Sequence, residues 1–307
     1  MAGSAWMVGM ATITLITSHS GLRSPTEADR ELEPVRRALA EREVRCDVLD
    51  WRAASELSGS DLVVIKSPWD YARRVTEFVD WLGRVESQTR VVNHPRTIRW
   101  NLDKHYLGEL AEHGVAVCPT VYCGTLDEVR AAVAELPRRV VLKPTVSASS
   151  ANTGLFEPDD PGLLLLARQI VDLGKQVMVQ PALDSIGRVG ERSLIHFDGR
   201  FVHAVGRSPL LALGGGLLGT SRGAITPVSP ASDERELAEE VLAVAGELMA
   251  TRGVTEPPVH ARVDLARDEA GRPVLMELEL FEPSFFLELA PGAERHYADV
   301  LLARLDT

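Results

Sequence analysis

Between residues 12 and 92 the chain alternates short apolar runs with stretches of helical period, and that rhythm admits few folds. Thr12, Ile13, Thr14, Leu15, Ile16 and Thr17 alternate as a first strand. Further short strands are predicted at 44–49, at 62–65 and at Val91 and Val92. Pro25 and Thr26 open an acidic first turn, and Leu32, Val35 and Leu39 follow on one helical face; a second helix is predicted over 76–85. Parallel neighbours need crossovers, so the reading is a parallel sheet with covering helices, an α/β domain over residues 1–96. Residues 1–9 read as an extension, with Met10 an equal candidate for the start.

The remaining pattern is mixed. A helix is expected over 103–113, stopped by Gly114, then a strand at 120–122. Thr125-Leu-Asp-Glu128 is a capping box whose helix Pro137 closes. The run Arg139-Val-Val-Leu-Lys143-Pro144 reads as a buried strand that delivers a lysine at its end, followed by a small-residue loop over 145–154. A helix over 161–173 leads to a strand at 176–179. Beyond it, strands at 192–197 and 200–205 flank Asp198-Gly199, a strong hairpin signal. A glycine-rich loop over 214–223, a helix over 232–249, strands at 260–267 and 273–280 and a helix over 294–305 complete the chain. This second part is therefore α+β in character, with lobes at 97–183 and 184–307.

A length of 307 residues suits two or three domains, and 45% hydrophobic with 25% charged residues is a globular balance. The net charge of -11 repels phosphate backbones and disfavours nucleic-acid or anionic-membrane partners, so any phosphate site must be local. Three cysteines without CxxC spacing indicate neither a disulfide framework nor a cysteine zinc site. A cytoplasmic homo-oligomer acting on a small molecule is the expectation, and the chain has neither a membrane-length apolar run nor a signal-peptide pattern.

Chemistry concentrates in Arg262-Val-Asp264 and Met276-Glu277-Leu-Glu279. Residues two apart on a strand share a face, so Arg262 joins Asp264 and Glu277 joins Glu279. A hairpin symmetric about Ala270-Gly271 sets 264 opposite 277 and gathers three carboxylates. Such a cluster repels itself unless cations occupy it, and hard oxygen ligands suit Mg²⁺. A solvated acidic face on an edge hairpin has the same pattern, so other residues must decide. Lys104 and Lys143 supply charge from two separate elements, although no GxxxxGK[ST] is present. Gln180, Pro181, Ala182 and Leu183 end a strand where backbone groups could meet adenine, and Glu191 follows as a candidate ribose acceptor.

That order, with Ser67-Pro-Trp-Asp-Tyr71, Trp100-Asn-x-Asp-Lys104, Val141-Leu-Lys-Pro144 and Glu277-Leu-Glu-Leu-x-Glu-Pro-Ser284, resembles the ATP-grasp superfamily over residues 10–305. It is most similar to the subfamily that contains the cyclo-ligase of the D-cycloserine pathway. The resemblance implies two lobes clamping ATP. Lys104, Lys143 and Arg207 would contact phosphates with loop serines Ser147, Ser149 and Ser150, while Asp264, Glu277 and Glu279 would hold two Mg²⁺ ions. Gln180 to Leu183 and Glu191 would line the adenosine site. The loop is Ser- and Ala-rich rather than Gly-rich, Arg207 replaces a third lysine, and Glu279 replaces the commoner asparagine.

The expected reaction is activation of a carboxylate as an acyl phosphate and attack by a nitrogen, with Arg262, Lys143 and Arg207 neutralising charge. Cyclisation of O-ureido-D-serine leads; an intermolecular carboxylate–amine ligase and a nonhydrolysing nucleotide-binding regulator are the rivals. Lys66, Ser67, Trp69, Asp70 and Tyr71, at the carboxyl end of a parallel strand, and Glu282 and Ser284 after the acidic strand, are the substrate candidates. The loops 145–154 and 208–223 are expected lids.

Overall fold

The computed structural model describes residues 10–23, 29–136, 138–216 and 224–305. Residues 1–9, Pro25, Thr26, Pro137 and residues 217–223 of the second expected lid therefore lie outside the described residues.

Strands β1 (Thr12–Thr17), β2 (Arg45–Asp50), β3 (Leu62–Ser67) and β4 (Val91–Val92) form the first sheet in the order β2-β1-β3-β4. All three pairings are parallel. Every residue of β3 is buried, as expected of an inner strand covered on both faces. The helix Leu32–Ala40 turns Leu32, Val35, Ala38 and Leu39 inward, and Val75–Glu86 buries Phe78, Trp81, Leu82 and Val85. Both stripes follow the helical period. The first of these helices starts at Leu32 rather than near Pro25, because Asp29 and Glu31 are directed inward as partners for Lys66.

The second sheet contains β5 (Val121–Cys123), β6 (Val140–Pro144), β7 (Gly154–Phe156) and β8 (Val177–Pro181), in the antiparallel order β5-β8-β6-β7. Thr125 caps its helix, Leu126–Ala134, in the reciprocal way its sequence implies: Thr125 Oγ1 accepts from Glu128 N at 3.3 Å and Glu128 Oε2 accepts from Thr125 N at 3.1 Å.

The third sheet orders β9 (Glu191–Phe197), β10 (Arg200–Arg207), β11 (Ile225–Val228), β12 (His260–Arg267) and β13 (Pro273–Glu279) as β11-β10-β9-β12-β13, all antiparallel. Asp198 and Gly199 turn β9 into β10 with φ of +50° and +71°, the two left-handed residues a tight hairpin needs. The long helix Ser232–Thr251 covers one face through Leu237, Val241, Ala245 and Leu248.

Three local expectations change. Position 96 falls inside a helix, Pro95–Asn101, which His94 caps by accepting from Arg96 N. The helix expected from Asp103 starts at Tyr106, since the Asp103 carboxylate accepts from His105 N at 3.1 Å and holds a turn instead. A short helix, Asp184–Val189, links β8 to β9. One apolar cluster unites Ile13, Val35 and Leu39 with Phe197, Phe285, Tyr297 and Leu301, so the final helix, Ala293–Ala303, packs onto the first sheet's layer. Among the described residues no helix is long and apolar enough to cross a membrane.

Candidate active site

Across β12 and β13, Asp264 pairs with Glu277 and Arg262 with Glu279. The expected pairing is present, but its origin differs. Nearer the turn, Leu265 pairs with Leu275 and Arg267 with Pro273, so the hairpin centres on Ala270 and Met276 is an extra residue. Without that bulge Asp264 would oppose Met276, and Glu277 would turn to the other face. Burial agrees: Leu275 and Leu278, three apart, are both buried against the helix layer.

Side chains also grip the strand's outer edge. Asn101 Nδ2 donates to Leu278 O and Asn101 Oδ1 accepts from Leu280 N, each at 2.8 Å, while Tyr106 Oη accepts from Leu278 N at 3.0 Å. Leu275 N donates to Ala116 O at 2.8 Å and Leu275 O accepts from Cys118 N at 2.9 Å. The acidic strand is thus clamped along both of its edges.

Asp264, Glu277 and Glu279 each bring a carboxylate oxygen within 4.8 Å of the others. Basic groups enclose them. Arg262 donates from Nε and Nη2 to the two Asp264 oxygens, at 2.9 Å each, and also to Glu279 Oε1. Arg207 Nη2 bridges Asp264 Oδ2 at 2.8 Å and Glu191 Oε2 at 2.6 Å. Ser193 Oγ donates to Asp264 Oδ1 at 2.7 Å. Burial alone would raise the Asp264 carboxyl, but Arg207 and Arg262 hold it at about 2. Glu279 goes the other way: burial, reinforced by Glu277 and Asp264 against the pull of Arg262, pushes it up to about 7. Oxygen-only ligands in this number fit a hard divalent cation, and Glu279 supplies a group that such a cation would hold deprotonated.

The lysines arrive from outside the third sheet, Lys143 from β6 and Lys104 from the turn before the helix Tyr106–Glu112. Lys104 Nζ lies 3.1 Å from Glu277 Oε1 and donates to Ser147 O at 3.2 Å and Ser147 Oγ at 3.3 Å. Its burial would lower its pKa, yet Glu277 raises it above the usual lysine value. Lys143 has no carboxylate within ion-pair reach among the described residues, and burial lowers its pKa despite the field of Glu277. Lys104, Arg207 and Arg262 each have a carboxylate partner, so Lys143 is the unpaired cation of this group. In the loop between β6 and β7, Ser149, Ser150 and Asn152 adopt φ of +53°, +56° and +56°, the left-handed region that glycine would otherwise supply.

At the end of β8, Gln180 is buried and its Nε2 donates to Thr120 Oγ1 at 2.8 Å. Pro181 pairs with Val140, Ala182 N donates to Arg139 O at 2.8 Å, and Leu183 opens the short helix. That helix ends at Gly190, with φ of +71°; a Cβ there would sit 2.1 Å from Arg207 O. Only glycine permits the approach that places Glu191 opposite Arg207.

The substrate candidates divide. Trp69 Nε1 donates to Glu282 O at 3.2 Å, and Tyr71 Oη donates to Glu282 Oε1 at 2.6 Å. Burial, with Glu279 nearby, raises the Glu282 carboxyl well above its usual range, and its Oε2 is buried without a hydrogen-bond partner. Ser284 O accepts from Arg262 Nη1 at 3.4 Å. These residues converge on the acidic strand.

Lys66, Ser67 and Asp70 do not, which corrects the expectation for them. Lys66, 1% exposed, pairs with Glu31 at 2.7 Å and Asp29 at 3.3 Å and donates to Pro283 O at 3.1 Å. Glu31 Oε1 in turn accepts from Phe285 N at 2.7 Å and Phe286 N at 2.6 Å, the latter at a left-handed φ of +54°. Lys66 therefore sits inside a buried polar knot beneath the 283–286 segment. Ser67 is fully buried against Thr17, and Asp70 accepts from Trp51 Nε1 at 2.7 Å. Two contributors escaped the sequence reading. Ser193 stands two residues beyond Glu191 on the same strand face, a signal that was present; Asn101 lay within a motif whose lysine drew the attention.

Comparison with known proteins gives a consistent answer. Residues 13–93 match a family model described as D-cycloserine synthetase DcsG, N-terminal domain. The chain is 31% identical over 309 residues to the cycloserine biosynthesis protein DcsG of Streptomyces lavendulae, covering 96% of this chain and 99% of that one. A crystal structure of D-cycloserine synthetase DcsG matches with a TM-score of 0.88 at 30% identity, over 96% of this chain and all of the other. D-alanine–D-alanine ligase from Bacillus anthracis shares the fold at 12% identity, with a TM-score of 0.66 over 96% of this chain and 97% of its own. The ATP-grasp ligase PsnB, solved with a minimal precursor, Mg and ADP, shares it at 16% identity and a TM-score of 0.61, over 96% and 98% of the two chains. With identity of this extent along nearly the whole of both sequences, the chain belongs to the DcsG family of ATP-grasp ligases, enzymes that use ATP to form C–N bonds.

Proposed function

We propose that this chain cyclises O-ureido-D-serine to D-cycloserine, using ATP and Mg²⁺. The observation that carries the reading is Lys104, held between Glu277 of the acidic strand and Ser147 of the left-handed loop, where it joins a cation-binding donor set to a phosphate-binding one. The near full-length relationship to a cycloserine biosynthesis protein supports the choice of substrate.

In this reading residues 97–183 and 184–307 clamp the nucleotide and residues 1–96 supply the substrate side. Asp264, Glu277 and Glu279 hold two Mg²⁺ ions, which supply charge neutralisation to the phosphates when bound. Lys104, Lys143 and Arg207 bind phosphate oxygens with Ser147, Ser149 and Ser150. Gln180 through Leu183 face adenine through the backbone, since the Gln180 side chain is engaged by Thr120. Glu191 accepts from the ribose. Trp69, Tyr71, Glu282 and Ser284 position the amino acid, with the free oxygen of Glu282 receiving its ammonium group.

The substrate carboxylate attacks the γ-phosphorus, releasing ADP and giving an acyl phosphate. The ureido nitrogen bound to oxygen in the same molecule then attacks that carbonyl, inorganic phosphate leaves and the new C–N bond closes the ring; water then cleaves the bond from that nitrogen to the carbamoyl carbon, leaving N–H on the ring and releasing carbamic acid, which breaks down to CO₂ and NH₃. Arg262 and Arg207 stabilise the charge that develops during phosphoryl transfer.

The test is ADP release with O-ureido-D-serine as sole amino-acid substrate, with mass analysis of the product. A ring formed without a second amine supports the proposal. ADP release that requires an added acceptor amine would replace it with intermolecular ligation.

A further inference from the structure

The turn after the helix Pro161–Asp172 is a junction of three segments. Gly174, at φ of +72°, ends the helix and turns Lys175 back across the sheet. Lys175 Nζ donates to Ala72 O at 2.6 Å and to Val146 O at 2.8 Å. One residue later, Gln176 O accepts from Thr145 N at 3.1 Å, and Thr145 O accepts from Lys104 N at 2.9 Å. Val146 is buried in the same apolar cluster as Tyr71 and Ala72.

The two carbonyls belong to different jobs. Ala72 lies in the turn Trp69–Arg73, which carries Trp69 and Tyr71 to Glu282. Val146 immediately precedes Ser147, whose carbonyl and hydroxyl hold Lys104. Lys175 makes no ion pair with a carboxylate among the described residues, and burial, with Lys104 and Arg73 nearby, lowers its pKa. A lone ammonium between two carbonyls of separate segments has a geometric role, since charge-assisted bonds to each fix their separation.

We infer that Lys175 is a positioning residue that couples nucleotide binding to amino-acid binding, by tying the phosphate loop at Val146 to the substrate turn at Ala72. This rests on the ligand assignments proposed above. Ordering of the loop around a triphosphate is transmitted through the ammonium to the turn that places Trp69 and Tyr71, and the effect runs equally in reverse.

The experiment measures the affinity of the full chain for a nonhydrolysable ATP analogue with Mg²⁺, with and without O-ureido-D-serine, in the parent, Lys175→Met and Lys175→Arg. The expected ratio of the two affinities is about fivefold or more in the parent, falls close to one in Lys175→Met and is largely restored in Lys175→Arg. A ratio in Lys175→Met equal to that of the parent overturns the inference, because a merely structural role would weaken each ligand alone and leave the ratio. Hydrogen exchange with the analogue alone separates this from the choice of substrate. Protection of residues 69–74 on adding the nucleotide should occur in the parent and disappear in Lys175→Met; equal protection in both overturns the coupling, whereas absence of substrate-stimulated ADP release in the parent overturns only the proposed substrate.

Discussion

Lys104 Nζ lies 3.1 Å from Glu277 Oε1 while the same residue's backbone N–H donates to Thr145 O at 2.9 Å. One lysine thereby joins the acidic strand of the third sheet to the loop of the second, through its side chain and its main chain at once. Misplacing either partner displaces both halves of the site.

Glu277→Gln should lower substrate-dependent ADP release by at least about a hundredfold, because a neutral ligand forfeits several kcal/mol of charge stabilisation. The melting temperature should also fall, because Lys104 and Lys143 stabilise this carboxylate more than Asp264 opposes it, and its loss leaves buried Lys104 without its ion pair; ADP release is therefore compared below the melting transition of both proteins. Undiminished turnover would refute the metal role.

Deleting Met276 should slip the register that sets Asp264 opposite Glu277 and abolish Mg²⁺-dependent activity. Met276→Ala keeps the residue count and should change stability by only about 0.5 kcal/mol, with activity retained. If the deletion retained full activity, the bulge would not be what aims Glu277.

Lys66→Met leaves Asp29 and Glu31 buried without their cation and should destabilise by about 3–5 kcal/mol in denaturant unfolding. Adding Asp29→Asn and Glu31→Gln to the same chain should recover part of the loss. No recovery would show that the ammonium's contacts with Pro283 O and with the face of Phe285, whose ring centre is 4.3 Å from Nζ, carry the effect.

His196 is buried on β9, and burial holds its pKa down at about 4. The unfolded chain, titrating near 6.5, binds the proton more readily, so this histidine's contribution is present above that pH and is lost as pH falls toward 4. Its full size is on the order of 3 kcal/mol. Between pH 7 and pH 4 the unfolding free energy of the parent should fall by about 3 kcal/mol more than that of His196→Leu. Parallel curves would show that His196 does not titrate on unfolding.

Much of the fold was legible because its signals are local. The strand at Thr12–Thr17, the capping box at Thr125 and the Asp198-Gly199 turn each depend on a few neighbouring residues. The pairing of Asp264 with Glu277 was read from turn symmetry, and the bulge at Met276 supplied it by another route. Lys66 was misplaced because the end of a parallel strand shows where ligands gather but not what lies over it; its partners Asp29 and Glu31 precede the helix Leu32–Ala40, far from it in sequence, and Pro283 is 217 residues away. Lys175 was missed for the same reason, since bonds to backbone carbonyls leave no residue-type signature.

The helix Ala293–Ala303 closes the layer over Leu32–Ala40, and Arg42 meets Asp299 across 257 positions. While the polypeptide is being synthesised, the first sheet must wait with an uncovered greasy flank until residues 293–303 emerge. Such distant closure slows maturation and exposes the nascent molecule to sticking. A stop codon upstream of Ala293 would therefore strike first at the layer around Leu32–Ala40, leaving it without a roof.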